Sequence, residues 1–210
     1  MRLLRIVGLM LALLVLHAPS AFSEPITFTH QGTGSGTIAG NPFTNAMFTI
    51  TALGDTNNRV SHSGGAFINH DTVSISITGV GNFLFTTPTR TFVNHSARLV
   101  GFSRASSPAL DLFNGPTNPI FSTYNMLTSI GPVTGTGQLL QWAAPPPFLL
   151  PVLTTDGQLV FNNAATTATF TATVGQVIPE PTTLLLLGTG LAGVAAKVRK
   201  RRQARQSVEA

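Results

Sequence analysis

The chain has 210 residues, no cysteine and only 9% charged side chains, yet its formal net charge is +5 and its pI is near 11.1. The absence of cysteine excludes disulfide staples and thiolate chemistry. The positive charge would suggest a nucleic-acid partner if it lay in a folded domain, but from Glu24 to Glu180 the only bases are Arg59, Arg90, Arg98 and Arg104. Against them stand Glu24, Asp55, Asp71, Asp111, Asp156 and Glu180, so the long central segment is slightly acidic and the nucleic-acid reading fails.

At the N-terminus, Met1-Arg2-Leu3-Leu4-Arg5 is a short positive region and Ile6 to Leu16 an apolar run. His17 to Ser23 follows, with the small residues Ala21 and Ser23 at the −3 and −1 positions of a cleavage site after Ser23. This is the pattern of a secretory signal peptide, too short to be a stable span. It implies export by the Sec machinery and cleavage by signal peptidase, leaving a mature chain that begins Glu24-Pro25-Ile26.

The exported segment, residues 24–176, is long enough for one domain with its own core. With no cysteine its stability must come from burial, and it contains thirteen phenylalanines. Each contributes about 1.5–3 kcal/mol when buried. Strict alternation marks strands: Phe48, Ile50 and Ala52 with Thr49 and Thr51; Val73, Ile75 and Ile77 with Ser74 and Ser76; Ala168, Phe170, Ala172 and Val174 with Thr167, Thr169, Thr171 and Thr173. Shorter strands are expected over 26–29, 66–69, 82–86, 91–93, 98–102, 137–142 and 158–161. Turn signals separate them, among them Ser63-Gly64-Gly65, Asn114-Gly115-Pro116 and Asp156-Gly157. Gly32-Thr33-Gly34-Ser35-Gly36 reads as a flexible turn or twisted edge, residues 103–131 as a long loop or edge elements, and Pro145-Pro146-Pro147 as a stiff connection. No helical stripe interrupts these strands. The expected fold is all-β, an antiparallel sandwich of the jelly-roll or immunoglobulin-like kind.

The exported segment shows no catalytic, cofactor-binding or metal-binding signature. Its acidic residues are scattered, so a glycosidase pair such as Asp55 with Asp71 or Asp111 with Asp156 would have to be assembled by the fold. His30, His62, His70 and His95 lack the close spacing of zinc ligands. Asn69-His70-Asp71 is the best local cluster, and it reads first as a polar strand edge with Asp71 opening a turn. Asp55-Thr56-Asn57-Asn58 lacks the glycine and distal glutamate of a calcium loop and reads as a type I turn. Trp142 is expected in the core or packed on the nearby prolines. Thr167, Thr169, Thr171 and Thr173 project from one strand face about 6.8 Å apart. That is a wet outer face in the first instance, and it also resembles a single row of the threonine ranks on ice-binding surfaces.

The C-terminal end has three parts in fixed order. Pro179-Glu180-Pro181 is a turn that removes backbone donors and stops the preceding strand. Thr182 to Ala196 is free of charge, with the small residues Gly188, Gly190, Ala192 and Gly193 where a partner helix can approach closely. Alone it would reach only about 22 Å of the ~30 Å hydrocarbon core, and a snorkelling Lys197 brings the span closer. Lys197, Arg199, Lys200, Arg201 and Arg202 then form a basic stop-transfer cluster that stays cytoplasmic.

This order of parts resembles the PEP-CTERM sorting signal of Gram-negative, polysaccharide-secreting bacteria, a label that also occurs on some ice-binding proteins. The resemblance covers residues 177–203 and leaves 204–210 as a cytoplasmic tail. It implies a substrate of exosortase, a membrane-embedded cysteine protease/transpeptidase. Such a protein is cut near the Pro-Glu-Pro turn after a transient stay in the membrane, then displayed on the cell surface or shed into the extracellular matrix. The functional expectation is therefore a non-enzymatic surface or matrix protein. The alternatives are a carbohydrate-binding or adhesive module of the exopolysaccharide and, behind it, an ice-binding protein.

Overall fold

The computed structural model describes residues 24–105, 110–142 and 151–175. The expected signal peptide with Ala21 and Ser23, the polyproline connection and the whole sorting signal lie outside the described residues. So does the expected membrane helix; among the described residues no helix is long and apolar enough to cross a membrane.

Twelve strands carry the described chain: β1 (Pro25–Ile38), β2 (Asn41–Asp55), β3 (Val60–His62), β4 (Gly65–Ile77), β5 (Gly81–Leu84), β6 (Thr89–Asn94), β7 (Leu99–Arg104), β8 (Asp111–Thr117), β9 (Ile130–Leu139), β10 (Leu153–Thr154), β11 (Gly157–Phe161) and β12 (Ala164–Val174). Two 3-10 turns accompany them, Thr56–Asn58 and Pro119–Ser122. The first is capped by the Asp55 carboxylate, which accepts from the Asn57 N–H at 2.8 Å. The all-β, antiparallel expectation holds, but the sandwich does not. Eight strands close into a barrel in the order β1, β12, β9, β8, β7, β6, β4, β2 and back to β1, every pairing antiparallel. β11 extends the far end of β1, β10 pairs with β11, and β3 and β5 lie along β4.

Closure depends on β1, which is hydrogen-bonded on both sides. Ile26–Gln31 pair with Val174–Thr169 of β12, and the whole strand pairs with β2 through a tight Ala39-Gly40 turn. An eight-stranded barrel is just wide enough for side chains to fill it. The filling is aromatic: Phe28, Phe48, Phe102, Phe113, Phe161, Phe170 and Trp142 are fully buried, with Trp142 4.9 Å from Phe161 between ring centroids. So many rings fit because β1 lacks side chains where they press on it. A Cβ on Gly32 would stand 2.9 Å from the Phe48 ring, and one on Gly34 2.7 Å from Phe161 and Leu139. The glycine run read as a flexible turn or twisted edge is therefore the interior of a strand paired with β2 along its length. The long loop or edge elements expected over 103–131 are likewise corrected in part, since β8 lies there as a wall strand paired with β7 and β9.

The polarity of the wall is apolar inside and hydroxyl-rich outside. Ile26 and Phe28 face in while Thr27 and Thr29 face out; Ile50 and Ala52 face in while Thr49 and Thr51 face out. A lipid-facing barrel has the reverse arrangement, an apolar outer band around a polar interior.

Candidate functional site

β4 is the irregular strand. Its inward residues are Ala66 and Ile68, then Val73, Ile75 and Ile77, so the alternation changes parity between 68 and 73. The cause is a bulge: Leu53 of β2 pairs with Thr72 and the adjacent Gly54 with His70, leaving Asp71 as the extra residue. Bulges re-aim side chains locally. On its other edge β4 changes neighbours at the same place, pairing with β6 up to Asn69↔Arg90 and with β5 from Ser74↔Leu84. Between those rungs the wall is open. His70, Asp71, Thr72 and Val73 face Phe85 to Thr89 across a cavity of about 210 Å³.

Behind this slot a hydrogen-bonded chain runs into the barrel. His70 Nδ1 is 3.0 Å from Thr89 Oγ1 and its Nε2 is 2.9 Å from Thr91 Oγ1. Thr91 Oγ1 is in turn 3.0 Å from His30 Nε2. His30 is wholly buried, its ring 5.0 Å from Phe170 and edge-on to Phe102 and Phe113, and its Nδ1 has no hydrogen-bond partner. The His70 ring stacks on Phe102 at 5.6 Å. Burial lowers the pKa of His30 from 6.5 to about 3. Burial, assisted by the neighbouring His30, does the same to His70. Both imidazoles are therefore neutral near pH 7. Because the Thr91 hydroxyl has a single proton, it donates to one imidazole and accepts from the other, so the two histidines hold opposite tautomers.

This chain ties the wall to the core. Both His70 nitrogens lie within hydrogen-bond distance of threonine hydroxyls. The polar groups that line the slot and lie near its surface are Asp71, Thr72 and Thr86. Arg104, which pairs with Thr89 across β6 and β7, donates from Nη1 to the Pro151 carbonyl at 3.2 Å. Arg90 lies over the Phe67 ring at 4.4 Å and donates from Nε to Ser103 Oγ at 3.0 Å. Burial raises the pKa of the nearby Asp111 carboxyl, opposed by its hydrogen bond from Asn114 and by Arg90.

Among the expected sites, the structure joins His30 with His70 although forty residues separate them in sequence. His62 and His95 do not join them: His62 Nδ1 accepts from the Gly64 N–H, and His95 Nε2 meets the Tyr124 carbonyl. Among the described residues no group of three potential metal ligands comes together. Asp71 sits inside β4 as a bulge residue rather than at a turn. Trp142 is in the core. The threonine row of β12 faces outward, as its alternation indicated. Missed in the sequence was the inward polar pair Thr89 and Thr91, whose signal is their shared parity with Val93.

The sorting residues Pro179, Glu180 and Pro181, the small residues 188–193 and the basic residues 197–202 are outside the described residues. Comparison with known proteins bears on them directly. The PEP-CTERM protein-sorting motif matches residues 177–202, where the proline turn, apolar run and basic cluster stand. Neither the curated proteins nor the solved structures gave a match to the chain. The barrel thus rests on its own geometry, while residues 177–202 carry a PEP-CTERM protein-sorting motif, which supports sorting of the chain by exosortase to the cell surface.

Proposed function

We propose that this is an exported, non-enzymatic protein of the bacterial surface or extracellular matrix, delivered by its two ends and folded as the β-barrel between them. The match of the sorting motif to residues 177–202 carries the reading. In it, the signal peptide directs Sec export and is removed after Ser23, while the apolar segment holds the chain transiently in the inner membrane of a Gram-negative cell. Pro179-Glu180-Pro181 supplies an extended turn, poor in backbone donors, that exosortase recognises on the outer side. Lys197 to Arg202 keeps the remaining end in the cytoplasm until the cut. The barrel suits such a route because it forms without disulfides, around a core that needs no oxidising compartment to assemble.

Replacing Pro179, Glu180 and Pro181 by alanine tests the recognition step by cell fractionation. The variant is expected to stay in the inner-membrane fraction while the parent reaches the surface or medium. Equal surface delivery of both would contradict the reading.

A second reading, adhesion to exopolysaccharide, is favoured by the wall slot, whose Asp71 carboxylate and Thr72 and Thr86 hydroxyls offer hydrogen bonds to a sugar residue. Retention of the protein on the exopolysaccharide, lost on Asp71→Asn, is the outcome that supports it.

A further inference from the structure

The outward threonines of β12 do not form an isolated row. The register of the wall sets them in line with hydroxyls on the neighbouring strands. Thr171 of β12 lies opposite Thr29 of β1, Thr29 opposite Thr51 of β2, and Thr51 opposite Ser74 of β4. One step along the strands, Thr134, Thr169, Gln31, Thr49 and Ser76 form a second rank across β9, β12, β1, β2 and β4. One step the other way, Thr173, Thr27, Leu53 and Thr72 form a third. None of these residues is buried. The ranks repeat about every 4.8 Å across the strands and about every 6.8 Å along them. Cross-strand contacts hold the side chains in place: Thr134 Oγ1 is 3.0 Å from Thr169 Oγ1, and Gln31 Nε2 donates to Thr49 Oγ1 at 3.3 Å.

The composition of this grid narrows its partner. It has no charged side chain, so it offers nothing to an ionic ligand or a nucleic-acid backbone. It has no aromatic ring; the outward rings Phe67 and Phe92 pair with each other where β4 meets β6, outside the three ranks, with Arg90 over Phe67. A sugar ring therefore finds no stacking plane. Its large apolar side chains are Leu53, within the third rank, and Leu84 of β5, at the margin opposite Ser74, too far apart in the register to make one apolar anchor for a protein partner. What remains is a sheet of hydroxyl and methyl groups repeating in two directions, which only a ligand with its own two-dimensional repeat can engage at many points together. We propose that the face centred on β12, β1 and β2 binds ice. Barrel curvature confines the contact to those three strands, a patch of about 10 Å by 14 Å by the spacings above. The proposal is independent of how the protein is sorted.

The test uses the full chain purified in detergent, with the detergent buffer alone as control, and reads ice-crystal shape, thermal hysteresis and inhibition of ice recrystallisation. The parent is expected to facet growing crystals and to inhibit recrystallisation at concentrations where the control does neither. Thr29→Lys with Thr51→Lys, placed at the centre of the grid, should weaken inhibition at least tenfold, while Thr123→Lys, outside it, retains full activity. If the lysine variant does not fold, Thr29→Val with Thr51→Val preserves volume and strand preference, and it too should lose activity several-fold. A parent indistinguishable from buffer overturns the proposal. So do variants as active as the parent, or a face that captures insoluble polysaccharide instead of ice.

Discussion

His30 and His70 stay neutral because burial disfavours their charged forms, and for His70 the neighbouring His30 adds to the effect. Their folded pKa values, about 3, lie below the 6.5 of an exposed histidine. Between these values the unfolded chain binds more protons than the folded one. The contribution of the pair is therefore complete above pH 6.5 and is lost progressively as the pH falls toward 3. Each histidine should cost about 1.4 kcal/mol per pH unit within that window. Urea denaturation across pH 4–7 should show a steep fall in stability, and His30→Leu should make it about half as steep. A stability independent of pH in that range would contradict the buried neutral pair. At this scale the sequence was partly legible. His30 keeps the parity of Ile26 and Phe28, the signal from which its burial could have been read. His70 stands two residues after Ile68 and shares its parity, but the Asp71 bulge that follows hides that relation from the alternation running backward from Val73.

β1 shows why strands were legible and closure was not. Alternation records which face is buried, and a sandwich and a barrel each bury one face of every strand, so the pattern is the same for both. The distinction lies in whether the strands that would edge an open sheet find partners and close the ring, as β2 does with β1, a long-range fact without a local signature. Glycine carried the nearest hint: Gly32, Gly34 and Gly36 fall at successive inward positions, where the absence of side chains makes room for the rings of a narrow barrel. Gly36 is the most constrained, since a Cβ there would lie 2.0 Å from the Val160 carbonyl oxygen of β11. Backbone cannot yield as a side-chain tip can. Gly36→Ala is expected to destabilise the barrel by about 2–3 kcal/mol, seen as a lower melting temperature with the far-ultraviolet spectrum of the remaining fold unchanged. An unaltered melting temperature would mean that β1 and β11 are not held this closely. The outer threonines show the same limit. The row on β12 was visible in sequence, whereas its alignment with Thr29, Thr51 and Ser74 depends on register across three separate pairings.

At the scale of the whole molecule, the ends and the middle differ in kind. The ends hold the excess positive charge and the two long apolar runs; the middle is slightly acidic and its eight main strands pair in a closed ring, interrupted only at the slot along β4 among the described residues. A closed wall suits a protein that crosses a membrane unfolded and then persists outside, because edge strands invite pairing with other chains. The C-terminal sorting motif was the most legible part of the sequence, because a charge cluster, an apolar run and a proline turn are local patterns that require no knowledge of distant contacts. Intact-mass spectrometry of the protein recovered from cells with and without exosortase tests this division most directly. With the enzyme, the N-terminus is expected at Glu24 and the C-terminus near Pro179-Glu180-Pro181; without it, the same N-terminus and a chain retaining Lys197 to Ala210. A single species ending at Ala210 in both cells would contradict it.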